Sequence, residues 1–216
     1  MKSYKKTILI TTLITLLPIL IGLVLWNRLP DSIATHWDSD GTPNGWSGKP
    51  FAVFAMPCIM AAIHLFAVCI TLNDPKRKNI HKKPLIIVFW LVPVLSIVTN
   101  GIIYLTALSI KVNVTAILSI LIGIMFILLG NYMPKLQQNY TVGIKLPWTL
   151  NSTENWTRTH RLGGKTFIAG GLVIILCSLL DGLAGGSFSL IAIIAVLVLC
   201  TAIPMGYSFW LFRKGV

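Results

Sequence analysis

Acid is scarce in this chain. Six of its 216 residues are Asp or Glu against 18 Lys and Arg, and charged residues make up only 11%. A soluble domain carries roughly 25%, so this composition excludes an ordinary water-facing globule and fits a lipid-facing one. The net charge of +12 sits in short clusters between apolar runs rather than on one face of a soluble fold. No direct nucleic-acid partner is therefore expected. Cysteine is scarce too: Cys58, Cys69, Cys177 and Cys200 all fall inside apolar runs, with no CxxC or Cys/His metal spacing. They read as small buried hydrophobes. There is no internal repeat, which argues against an inverted-repeat transporter. There is also no HExxH, no Ser-His-Asp order and no close carboxylate pair. The basic start, Met1 to Lys6, resembles a signal peptide, but no small-x-small cleavage site follows the apolar run behind it, which reads as a retained anchor.

What is present in quantity is hydrophobic length. The chain is 55% hydrophobic with a mean hydropathy of +0.80. A span needs about 20 apolar residues, because the hydrocarbon core is about 30 Å thick. Six segments qualify or nearly do: Ile8–Trp26, Phe51–Leu72, Leu85–Ile110, Val114–Met133, Thr166–Ala184 and Ser187–Phe212. The fifth carries Asp181 and has a short apolar part, so its helix is expected to begin upstream. The predicted fold class is an all-α polytopic membrane protein with six transmembrane helices. Pro18, Pro57, Pro93 and Pro204 fall within spans, where neighbouring helices can re-satisfy freed carbonyls.

Six crossings put the N-terminus, residues 73–84, residues 134–165 and the C-terminus on one side. That side holds fifteen of the 18 Lys and Arg, leaving Arg28, Lys49 and Lys111 opposite. The basic side is cytoplasmic by the positive-inside rule, and Trp26, Trp90 and Trp210 near span ends fit an interfacial aromatic belt. The expected location is a bacterial cytoplasmic membrane, with both termini inside.

Two polar connections hold the remaining information. In the outer one, residues 27–50, Ile33, Thr35 and Trp37 alternate at strand period, while Asp40-Gly41 and Asn44-Gly45 are turn signals, predicting a small extracellular hairpin. His36-x-Asp38-x-Asp40-Gly41 partly fits a calcium loop, but its twelfth position is Ser47 rather than a bidentate Glu; the plainer reading is a polar turn. In the inner connection, residues 134–165, the first half looks extended. The second half starts at the capping residues Asn151 or Ser152 and reads as a short helix to Gly163-Gly164. On it Trp156, His160 and Gly163 share a face. This connection is expected to be ordered, with Trp148 and Trp156 buried against the ends of spans four and five. Gly164-Lys165-Thr166 echoes the end of a phosphate loop, but the required earlier glycine is Thr159 and a membrane span follows, so nucleotide binding is rejected. Sequons at Asn113, Asn139, Asn151 and Asn155 carry no weight, because three of the four fall in the inner connection.

Two ionisable or polar residues sit within spans. His64 and Asn100 are functional candidates by default in lipid, although each can serve as a simple interhelical hydrogen bond. Convergence on one water-filled cavity would favour a small-solute or ion transporter. A membrane-surface enzyme using His36, Asp38 and Asp40 as metal or acid/base groups is a third class. No enzyme activity, cofactor or resident metal is expected.

At the two connections the sequence resembles a known family. Asn131-Tyr-Met-Pro-Lys135, Asn139-Tyr-Thr-Val-Gly-Ile-Lys-Leu-Pro-Trp-Thr-Leu150 and Trp156-x-x-Thr159-His160-Arg161-x-Gly163-Gly164-Lys165 are similar to the signature of the SdpI family of bacterial immunity proteins. Leu29-Pro30, Ile33, His36-Trp37, Gly41, Pro43-Asn44-Gly45-Trp46 and Lys49 resemble the DUF1648 module found at the front of such proteins.

The resemblance implies a two-helix module over residues 1–84 and a four-helix SdpI-like region over residues 85–216. It implies protection against a secreted toxic peptide and, in the founding system, capture of a cytoplasmic repressor at the membrane. On that reading His36, Trp37, Asp38, Asn44, Trp46 and Lys49 face the toxin or ligand. Lys145, Trp148, Trp156, Arg158, His160, Arg161 and Lys165 present a basic, aromatic surface to a partner or to membrane lipids, where each Lys or Arg gains about 1 kcal/mol near anionic headgroups.

Overall fold

The computed structural model describes residues 4–184 and 188–216. Six of its helices are long and apolar enough to cross a membrane, and the chain is a multi-pass membrane protein. In order they are α1 (Lys5–Val24), a hairpin of β1 (Ser32–Trp37) and β2 (Pro43–Gly48), α2 (Met56–Leu72), α3 (Lys82–Ala107) and α4 (Val114–Tyr132). The short α5 (Pro147–Asn151), then α6 (Thr153–Ala184) and α7 (Phe188–Arg213), complete it. The run expected to open at Ser187 is described from Phe188, since Ser187 and the basic start at Lys2 lie outside the described residues. Pro57 lies inside the continuous span Phe51–Leu72, where a wide π-turn over Phe51–Ala55 leads into α2 just ahead of the proline that cannot donate an N–H.

The chain packs as two units, Met1–Asn73 with Leu85–Val114, and Asp74–Pro84 with Thr115–Val216. In the first, α1 turns one face inward through Thr11, Thr15, Pro18 and Gly22, spaced three or four residues apart as a helical stripe requires. Small residues there let helices approach closely. A Cβ on Gly22 would lie 2.7 Å from a Val53 methyl and 2.8 Å from the Tyr104 hydroxyl. That hydroxyl donates to the Pro18 carbonyl at 3.0 Å, and Ser96 Oγ donates to the Thr15 carbonyl at 2.8 Å. The opposite faces of these helices carry exposed Leu and Ile, as lipid contact demands.

In the second unit α4 and α6 approach backbone to backbone. A Cβ on Gly130 would stand 2.8 Å from the Gly164 carbonyl, and one on Gly123 the same distance from the Gly171 carbonyl. This corrects the expected end of the inner helix at Gly163-Gly164: α6 runs straight through both glycines, because they are packing surfaces against α4 and not a stop signal. With 32 residues and a rise of 1.5 Å each, α6 is about 48 Å long, longer than a hydrocarbon core of about 30 Å requires. Its first turns therefore stand clear of the apolar segment.

Candidate functional site

The hairpin is seated on its own unit by Ile33. This side chain is 1% exposed and packs with Leu29, Ala52, Val53, Ile103 and Tyr104. Lys49 closes the base. Its ammonium pairs with Asp31 at 3.1 Å, donates to the Trp26 carbonyl at 3.3 Å and lies over the Trp26 ring. Lys49, expected to face a ligand, is therefore bound back into the fold with only 13% of its side chain exposed.

The strands pair antiparallel, Ile33 against Ser47 and Ala34 against Trp46, with irregularities on either side of His36. His36 stands opposite Gly45, where a Cβ would come within 2.9 Å of His36 Cβ. Asn44-Gly45 consequently lies within β2, and the turn is made by Asp38 to Thr42. Asp38 accepts from the Asp40 and Thr42 amides at 3.0 Å each and from the Thr42 hydroxyl at 2.5 Å. Gly41 supplies the positive φ of 78° that the turn needs. The Thr42 hydroxyl, with help from the two amides, holds the Asp38 carboxyl below the usual carboxylate value. Both Asp38 oxygens thus serve the turn. Among the described residues no three His, Cys, Asp or Glu side chains converge as a metal site. His36 Nδ1 donates to Asn44 Oδ1 at 2.5 Å. His36, Asn44 and Trp46 are exposed, Trp46 at 59%, while Trp37 is half-buried against the hairpin core.

The connection from α4 to α6 is a folded platform. Trp156, 1% exposed, packs with Met133 and Leu136 and donates its indole N–H to the Leu136 carbonyl at 2.8 Å. His160 stacks on the Trp156 ring at 4.0 Å between centroids. Its Nε2 accepts the Ile144 amide at 2.9 Å, so its Nδ1 carries the proton and donates to the Trp156 carbonyl at 2.7 Å. This ring is neutral by geometry, because a proton on Nε2 would meet the Ile144 N–H. Gly143, at φ 127°, leaves the space that the imidazole fills.

Four polar residues to which the sequence assigned no structural role hold this platform together. Asp74 is 6% exposed and accepts from the Lys76 and Tyr140 amides at 2.7 and 2.9 Å, and also from the Thr141 hydroxyl. Gln138 accepts from Lys76 Nζ at 2.7 Å and donates to the Thr149 and Leu150 carbonyls. Asn139 caps its own turn through the Thr141 and Val142 amides. Asn155 accepts from Ser208 Oγ at 2.6 Å and donates to the Ser208 and Val216 carbonyls, tying α6 to α7. Asp74 carries the one available signal, as a lone acid beside Lys76, Arg77 and Lys78 between α2 and α3.

Of the residues expected to form a partner-facing surface, Trp156 and His160 are corrected: both are buried and organise the platform from within. Trp148 is half-buried, and its ring partners lie on the sixth span: it meets Phe209 edge-on and stacks on Phe212 of α7. Lys145, Arg158, Arg161 and Lys165 remain exposed, with Arg158 paired to Glu154 at 2.5 Å. His64 and Asn100 are both buried in packed positions. His64 Nε2 lies 2.9 Å from Thr11 Oγ1, and Asn100 Nδ2 donates to the Ser96 carbonyl at 2.8 Å. His64 Nδ1 and Asn100 Oδ1 have no hydrogen-bond partner among the described residues.

Comparison with known proteins gives two family matches. The SdpI/YfhL protein family model matches residues 135–208, and the model of a domain of unknown function, DUF1648, matches residues 13–61. The chain is 25% identical over 214 residues to the Immunity protein SdpI of Bacillus subtilis (strain 168), covering 97% of each chain. No solved structure matches. The first match takes in the platform and α6 with most of α7, and the second takes in the later part of α1, the hairpin and the start of α2. The chain is thus a multi-pass membrane protein that matches the DUF1648 model at its front and the SdpI/YfhL family model behind it.

Proposed function

We propose that this protein is a membrane immunity protein that protects its own cell against a secreted toxic peptide, by binding rather than by turnover. The observation that carries this reading is the end-to-end likeness to an immunity protein, 97% of both chains, which includes the hairpin and the platform alike. In this reading the fifteen-to-three distribution of Lys and Arg sets the platform and both termini in the cytoplasm and the hairpin outside. The front module, residues 1–84, meets the peptide through the exposed His36, Asn44 and Trp46. The region behind it, residues 85–216, offers Lys145, Arg161 and Lys165 to a cytoplasmic partner, a repressor protein being the candidate.

A rigid platform suits a docking role, because partner contacts then cost little ordering entropy. His64 bonds across helices to Thr11 and acts there as interhelical glue, while Asn100 bonds back to Ser96 of its own helix; both are buried in packed positions, which favours a structural role over a transport pathway. The test is expression in a sensitive cell challenged with the killing peptide secreted by the protein's source organism. Survival supports the reading, and unchanged killing at full membrane expression refutes it.

A further inference from the structure

A cleft of about 600 Å³ opens where α3 begins and α4 ends, lined by His81, Lys82, Lys83, Pro84, Tyr132 and Lys135. Three of the six are lysines, all exposed. Lys82 and Lys83 occupy the first turn of a 26-residue helix with no acid in that turn. The helix dipole is positive there, so these ammonium groups add to a charge already present. Carboxylates of the same unit do not offset it. Asp74 is engaged by Lys76, Tyr140 and Thr141, Glu154 by Arg158, and Asp181 by the Phe188 and Ser189 amides. The cleft also has an aromatic wall: Lys135 Nζ lies 5.1 Å from the centroid of Tyr132. Behind Tyr132 on α4, Leu128 and Ile124 follow at four-residue steps, and both are exposed. A basic cleft at a span end thus continues into an apolar stripe along the span. A free anion would use only the first of these, and a phospholipid uses both.

We propose that this cleft binds the headgroup of an anionic phospholipid, with Lys82, Lys83 and Lys135 meeting its phosphate and Leu128 and Ile124 lying along an acyl chain. The inference stands apart from the immunity reading. Its site is at neither the hairpin nor the partner-facing surface, and it needs no toxin. The lipid would fix the depth of α3 and α4 at the membrane surface, where anionic headgroups attract each nearby lysine.

The test uses the full chain in a neutral detergent, titrated with short-chain phosphatidylglycerol and followed by native mass spectrometry. Phosphatidylcholine and inorganic phosphate serve as the other two arms. Phosphatidylglycerol should bind, and each of Lys82→Gln, Lys83→Gln and Lys135→Gln should weaken it roughly fivefold. Lys82→Arg should restore binding, and Lys111→Gln, in the connection from α3 to α4, should leave it unchanged. Inorganic phosphate should not displace the lipid. Affinity unmoved by all three Lys→Gln changes, or equal binding of phosphatidylcholine, would overturn the proposal. Displacement by inorganic phosphate at matched concentration would assign the cleft to a soluble anion and overturn it as a lipid site.

Discussion

The Ile144 amide donates to Nε2 of His160 at 2.9 Å, across a fold-back that brings an extended segment onto the first turns of α6. Removing the ring leaves a covered N–H without a partner, which costs about 1–3 kcal/mol, and strips the stack from Trp156. His160→Ala should therefore lower the melting temperature of the purified protein. His160→Gln, which can both accept from Ile144 and donate to the Trp156 carbonyl, should recover most of it. Equal losses in the two variants would show that packing, and not the hydrogen bond, is what His160 contributes.

Asp74 should matter as much as any residue in the platform. Its carboxylate receives two amides and a hydroxyl, and hydrogen bonds to charged groups contribute about 1.5–3 kcal/mol each. Asp74→Ala is expected to release the segment around Tyr140 and speed tryptic cleavage after Lys145, with Asp74→Asn intermediate. An unchanged cleavage rate in Asp74→Ala would mean that the segment is held by other contacts.

The glycines of α4 and α6 predict a sharp positional contrast. Gly130→Leu or Gly171→Leu forces the two backbones apart, and overpacking of this kind costs about 1–3 kcal/mol or more. Gly101→Ala and Gly206→Ala meet nothing within 4 Å and should be neutral or slightly stabilising in their helices. Thermal melts of the four variants in detergent check this. Destabilisation by the second pair as large as by the first would remove the close-approach explanation.

The sequence was most legible where one physical requirement acts alone. Six spans followed from apolar length, because lipid must meet apolar side chains all along each helix. The hairpin followed from the alternation at Ile33, Thr35 and Trp37. What failed were signals with two possible causes. Gly163-Gly164 looked like a helix end, and only the facing carbonyl of Gly130 reveals it as a contact. Asn44-Gly45 looked like a turn, but Gly45 is there to clear His36. Trp156 looked both buried and part of a recognition surface, and only the first holds; His160 looked like recognition surface alone, since nothing in its local pattern shows that residues 136–144 fold back over it. Asp74 and Gln138 act through partners more than sixty residues away in sequence, a pairing that no local spacing encodes.

The orientation rests on charge and is directly measurable. In a cysteine-free background, a cysteine at Ser39 should react with a membrane-impermeant maleimide on intact cells, and one at Lys145 only after permeabilisation. Both are exposed. Labelling of both from outside would overturn the six-span, both-ends-inside arrangement.

The central claim, protection by binding at the hairpin, is tested most directly by survival. A peptide-sensitive cell expressing this chain is exposed to graded doses of the killing peptide, alongside cells expressing His36→Ala, Trp46→Ala and Arg161→Ala at matched membrane levels. Trp46 is preferred to Trp37 here, because Trp37 also packs on the hairpin core. Truncating an interface tryptophan typically costs about 2 kcal/mol or more, so the hairpin variants should lose protection on the order of tenfold in dose, while Arg161→Ala protects like the parent. Full protection by both hairpin variants, together with loss of survival in Arg161→Ala, would contradict the account.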